Sequence, residues 1–192
     1  ISDPAIDDWT RQTVTIINKS RTEQTSYDFK IGFYNLQTKT FSIDNLNKIL
    51  KTLTAINNVS PNKKGYVIVG IADCEKDAKK YTDTFDLDSF MLEGDFPVIG
   101  IDHEVNMSGC SVDVYTKKIK EKIKNSKLIE EDYKKHILEN MRTPLLYGRQ
   151  LIVFETDFDE PVQYDSKYYE REFTDVVEIP TSEIRKLFKK FK

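Results

Sequence analysis

Gly65-Tyr66-Val67-Ile68-Val69-Gly70-Ile71-Ala72-Asp73 is the stretch that decides the fold. It is an unbroken apolar run, rich in β-branched residues, and the polar loop Asn58 to Lys64, with Ser-Pro-Asn and two lysines, leads into it. A run of this kind reads as a central strand covered on both faces rather than as a half-solvated one. The residues around it read as its partners and its cover. Upstream, Tyr27, Phe29 and Ile31 alternate with Ser26, Asp28 and Lys30, which predicts a half-buried strand over Ser26 to Ile31 with Asp28 and Lys30 on its polar face. Between the two strands, Ser42 caps a helix whose Ile43, Leu46, Ile49, Leu50 and Leu53 form an apolar stripe up to about Asn57.

Working outward, Asp3-Pro4 is a helix start, and Ile6, Trp9, Ile16 and Ile17 carry that helix to about Asn18. Residues 74 to 96 are acidic and aromatic without a clean period, and a short strand is expected over Phe96 to Ile101. Val112, Tyr115, Ile119 and Ile123 predict a lysine-rich amphipathic helix, and Tyr133, Ile137, Leu138 and Met141 its hairpin partner. Strands follow over Arg149 to Thr156, Lys167 to Glu172 and Asp175 to Ile179, and a closing helix after Thr181 or Ser182 carries Ile184, Leu187, Phe188 and Phe191. No repeat or flexible linker interrupts the 192 residues, so a single mixed α/β domain is expected over 1 to 192.

Composition excludes several classes. With 39% hydrophobic and 32% charged residues, and 11 Phe and 10 Tyr, the chain has enough apolar material for a core. Its longest apolar run, Tyr66 to Ala72, is too short to span a bilayer. No charged-then-apolar leader opens it, and a cytoplasmic protein is expected, although a start at Ile1 rather than Met also suits a processed chain or a fragment of a longer one. Cys74 and Cys110 have no pairing pattern and are expected to be buried, reduced thiols. His103 and His136 have no ligand-like spacing, and no Walker loop, GxSxG elbow or HExxH occurs. The formal charge of −3 excludes a uniformly basic nucleic-acid binder but leaves room for a local basic surface.

The residues that suggest chemistry are acids. Glu23 lies five residues before Asp28, and Asp73 ends the central run, where α/β proteins commonly place functional groups. Were the three carboxylates to converge, a cation would have to relieve their repulsion, and Mg²⁺ or Mn²⁺ on a phosphodiester would suit them, with Lys30 meeting the phosphate. As a bare pattern, an Asp–Lys pair on a solvated strand face is the commoner meaning.

The ordered set Glu23-Gln24-Thr25-Ser26-Tyr27-Asp28-Phe29-Lys30, Thr54-Ala55-Ile56-Asn57-Asn58 and Gly65 to Asp73 resembles the Schlafen/AlbA_2 domain family. Pro161, the Tyr168-Tyr169-Glu170-Arg171 segment and the closing helix fit the same order, so the likeness covers most of residues 20 to 192. The chain departs from the family pattern in two places: Asp28 stands for the usual Glu, and a loop ending at Lys64-Gly65 replaces a Gly-Gly pair. The resemblance implies an α+β fold, a mixed sheet with flanking helices, here with an N-terminal helical extension over 1 to 20 and an inserted helical hairpin over about 106 to 147.

The resemblance also implies nucleic acid as partner, RNA before DNA, and in the Schlafen branch a divalent-metal-dependent endoribonuclease acting on structured RNA such as tRNA. Carried over by position, Glu23, Asp28 and Asp73 would be the metal-holding catalytic acids with Lys30 assisting. Lys30, Asn57, Lys63, Lys64, Tyr169 and Arg171 would contact nucleic acid. Two other readings stay open. One is a non-catalytic DNA- or RNA-binding module of a larger regulatory or antiviral defence protein. The other is a structural domain that oligomerises through the N-terminal helix and Trp9.

Overall fold

The structure is a computed structural model that describes the backbone of residues 4 to 192 and the side chains from Asp8 onward. The cap expected of Asp3 lies outside the described residues. In chain order, α1 (Pro4–Lys19) precedes β1 (Tyr27–Lys30), α2 (Ile43–Asn57), β2 (Gly65–Val69) and α3 (Glu75–Thr84). Next come β3 (Met91–Glu93), β4 (Phe96–Val98), α4 (Asp102–Met107), α5 (Val112–Asn125), α6 (Glu131–Glu139), β5 (Leu145–Leu146), β6 (Arg149–Gln150) and β7 (Ile152–Thr156). The chain closes with β8 (Gln163–Tyr164), β9 (Lys167–Glu172), β10 (Asp175–Glu178) and α7 (Ile184–Lys190). This is the mixed α+β fold that the sequence leads one to expect.

The central sheet has the order β1-β2-β7, with β1 parallel and β7 antiparallel to β2. Val67, Ile68 and Val69 are fully buried because the sheet is covered twice. On one face Val67, Val69 and Phe154 meet Leu46, Leu50 and Leu53 of α2, together with Tyr115 and Ile119 of α5 and Tyr133 of α6. On the other, Ile68 and Val153 meet Tyr27 and Phe29 of β1 and Ile16 and Ile17 of α1. Both the N-terminal helix and the helical hairpin therefore contribute directly to the packing around the sheet. Ser42 Oγ accepts from Asn45 N at 3.2 Å, the helix start its sequence position suggests.

Several expected boundaries shift, for identifiable reasons. The central strand stops at Val69 rather than Asp73. Gly70 takes φ +110°, and a Cβ there would stand 2.6 Å from the Leu151 side chain, so the chain turns where only glycine fits. The run from Arg149 to Thr156 divides into β6 and β7. Helix α3 lies in a stretch with no clean period because it buries only Ala78, Tyr81 and Thr82, a face with little hydrophobic contrast. Cys74 is exposed and Cys110 partly so, contrary to the expected burial, since Cys74 sits at the solvent-facing start of α3.

One buried acid anchors the loop that follows β1. Glu104 of α4 is wholly buried, and its Oε1 accepts from Phe33 N at 2.9 Å, Tyr34 N at 3.0 Å and the Tyr81 hydroxyl at 3.2 Å. The Tyr115 hydroxyl donates to Oε2 at 2.9 Å. Gly32 makes room for this approach, since a Cβ there would fall 2.1 Å from Oε1. Burial pushes the Glu104 carboxyl up from 4.5 to about 7, the lost hydration outweighing the four donors. The folded state thus holds this proton more tightly than the unfolded chain does. The stability it contributes is fully present below pH 4.5 and is lost as pH rises through about 7. Chemical denaturation at stepped pH should show unfolding free energy falling by about 3 kcal/mol across that window, and Glu104→Gln should flatten the slope.

Candidate nucleic-acid interface

Strand β1 is the edge of the central sheet, and its alternation divides its side chains between two environments. Tyr27 and Phe29 stand in register with Tyr66 and Ile68, and Asp28 and Lys30 with Val67 and Val69. The Lys30 ammonium lies 3.1 Å from Asp28 Oδ2. From β9, Arg171 reaches across to put its Nη2 3.6 Å from Asp28 Oδ1 while donating to the carbonyls of Tyr27 at 3.0 Å and Gln24 at 3.4 Å. Its side chain is only 2% exposed. Arg171 therefore clamps β9 to the edge strand and neutralises Asp28.

Asp73, beyond the turn at Gly70, lines one cleft together with Asp28, Lys30, Arg171, Arg21 and Thr174. Burial and then the neighbouring Asp28 carboxylate push the Asp73 carboxyl above its usual range, while Lys30 and Arg171 pull it back. Two of the three sequence-expected acids are thus brought together. Glu23 is not with them. It lines the adjoining groove and lies 3.5 Å from Lys63 Nζ. Among the described residues no group of three or more His, Cys, Asp or Glu side chains is arranged to hold a metal ion.

That adjoining groove is the more basic surface. Its walls are Arg11, Thr15 and Lys19 of α1 and, opposite, Asn62, Lys63 and Lys64 before β2, and Tyr27 and Tyr66 lie between them. The two tyrosine rings stack nearly parallel, with centroids 6.0 Å apart at 11°. Lys63 is paired with Glu23, and Lys64 with Glu155 at 3.1 Å, whereas Arg11 and Lys19 are exposed and make no ion pair among the described residues. The sequence reading missed Arg11, Lys19, Tyr27 and Tyr66 as a set. The i, i+4, i+8 spacing of Arg11, Thr15 and Lys19 on one helix face was a legible signal; that this face lies opposite the Lys63 loop was not.

Other expected contacts are occupied by the fold itself. Asn57 is 3% exposed: its amide donates to Glu160 O at 3.0 Å, and its Oδ1 accepts from Thr156 Oγ1 and Phe158 N, both at 2.8 Å. The expected contact of Asn57 with nucleic acid is therefore replaced by a structural role, holding the turn after β7. Arg171 is likewise committed to Asp28 and to backbone carbonyls. Tyr169 stands with its ring 4.4 Å from Lys51 Nζ, and Tyr168 packs edge-on against Phe188. Lys190, in the last turn of α7, donates to the carbonyls of Asn58 and Val59 at the end of α2. Trp9, the expected oligomerisation residue, lies half-buried beneath the Arg142 guanidinium.

No protein-family model matches this chain, and no curated protein is significantly similar to it. No helix among the described residues is long and apolar enough to cross a membrane. If Asn57 is structural, Asn57→Ala should cost about 2 kcal/mol in urea denaturation, because it strands partners of a buried side chain. Nucleic-acid affinity per folded molecule should be unchanged in the same variant, as read by fluorescence anisotropy.

Proposed function

We propose that this domain binds nucleic acid, RNA in preference to DNA, through the groove between α1 and the start of β2. The observation that carries the reading is the pair of exposed cations, Arg11 and Lys19, without ion pairs among the described residues, which line one groove with Lys63, Lys64 and the stacked rings of Tyr27 and Tyr66. Cations along two walls suit a phosphate backbone, and aromatic rings between them suit bases. A net charge of −3 is no obstacle, because counterion release depends on the residues that meet phosphate and not on the total. The preference for RNA rests on the resemblance of the β1 and β2 motifs to Schlafen/AlbA_2 domains. Membership of that family is part of the proposal.

Metal-dependent RNA cleavage is the second reading, favoured by the juxtaposition of Asp28 and Asp73 in the neighbouring cleft. Those two carboxylates would contribute to a Mg²⁺ or Mn²⁺ site, a divalent ion being one way to relieve their repulsion. The fit is incomplete: Asp28 already has two cationic neighbours, and Glu23 would have to leave Lys63 to supply a third ligand. The binding module is therefore the better-supported form.

Labelled RNA titrated against the protein should be bound with an affinity that falls steeply with salt, with a log–log slope of about −3 if all four groove cations meet phosphate. Arg11→Glu combined with Lys19→Glu, both exposed and so tolerated by the fold, should weaken binding at least tenfold and make the slope shallower. Undiminished binding by that variant would remove the groove from the proposal. Running the assay with Mn²⁺ and with EDTA tests the second reading: metal-dependent cleavage lost in Asp73→Asn would put the nuclease in place of the binding module.

A further inference from the structure

Beyond the groove, the tip of the β9–β10 hairpin carries a feature that the fold does not use. Glu172 pairs with Asp175, so the turn between the strands consists of Phe173 and Thr174. The first position of this turn, Phe173, has φ +55°. Two-residue hairpins place Gly, Asn or Asp at such positions, because a bulky side chain there is strained. The ring is moreover 76% exposed. Tyr147, in the β5–β6 turn, is a useful contrast. It too has positive φ and is 48% exposed, but its hydroxyl donates to Glu93, so the fold gains a tie between two hairpins. Phe173 makes no ring-stacking, cation–π or core-cluster contact among the described residues.

The surroundings say what the ring is placed to meet. Arg171 and Thr174, on either side of Phe173 in the chain, line the Asp28–Asp73 cleft. Tyr27 borders both this cleft and the basic groove, so the two adjoin at that residue. Resting on the nucleic-acid reading above, we propose that Phe173 is a stacking finger for an unpaired base, and that a strand held in the groove is single-stranded where it extends past the cleft to the hairpin. A benzene ring offers a base no hydrogen bond, so its contribution is a stacking surface tolerant of base identity. The base must be unpaired to present a free face, since within a duplex both faces are already stacked. An aromatic held in water at a strained turn costs the free protein stability and is regained only on contact.

The test compares a labelled single-stranded RNA with a blunt RNA duplex of equal length, by fluorescence anisotropy, for the wild type, Phe173→Ala, Phe173→Leu, Phe173→Gly and the Arg11→Glu/Lys19→Glu protein. Circular dichroism and thermal unfolding serve as folding controls. Phe173→Ala and Phe173→Leu should each weaken single-strand binding about tenfold, leave duplex binding unchanged and leave the salt slope unaltered. Phe173→Gly should weaken single-strand binding while raising the thermal midpoint, a combination that a structural role for the ring would not give. Wild-type affinity in Phe173→Ala, alongside lost affinity in the groove variant, would overturn the finger and leave the groove standing. Equal losses for strand and duplex would overturn the unpaired-base assignment, and full activity of Phe173→Leu would reduce the ring to a generic apolar contact. If the wild type binds neither RNA, the groove and the finger fall together.

Discussion

The two-sided burial of β2 is the constraint on which the rest depends. A five-residue strand with Val67, Ile68 and Val69 fully inaccessible needs a covering layer on each face and a hydrogen-bonding neighbour on each edge. β1 and β7 supply the edges, α2 with the α5–α6 hairpin one cover, and α1 with Val98 of β4 and Leu146 of β5 the other. Removing water from these faces is the main favourable contribution to folding, and everything polar has to find its place at the margins.

The candidate site lies at such a margin. β1 has a sheet neighbour on one side only, and one of its two faces carries the half-buried Asp28 and Lys30. Buried charge has to be compensated, and Arg171 does this for Asp28 while closing the carbonyls of Tyr27 in the edge strand and of Gln24 just before it. The same arrangement gives Asp28 a structural part, between Lys30 of its own strand and Arg171 of β9. Glu23 and Lys63 make an exposed pair in the groove, and Arg11 and Lys19 of α1 have no ion pair among the described residues.

Much of the architecture was legible in the chain. The alternation of Tyr27, Phe29 and Ile31, the stripe of α2 with its Ser42 cap, the hairpin of α5 and α6 and the unbroken run into Val69 all report elements through local periodicity and local burial. Helix α3 was not legible because Ala78 and Thr82 carry its buried face without hydrophobic contrast. Nor was the end of β2, since the apolar run continues through Ile71 and Ala72 after Gly70 has already turned the backbone.

For the site, sequence by itself determined that Asp28 and Lys30 share a strand face, that Asp73 follows the central strand, and that lysines precede it, because a strand's side-chain period is a property of the local backbone. Only the tertiary structure decided which of these groups meet. It gave Asp28 to Arg171, more than 140 residues away in the chain, turned Glu23 towards Lys63, buried Asn57 in the turn after β7, and set Arg11 and Lys19 across from the Lys63 loop. The physical reason is that side-chain pairing follows from how layers dock. Docking is set by the summed burial of the core, to which a single surface acid or lysine contributes almost nothing.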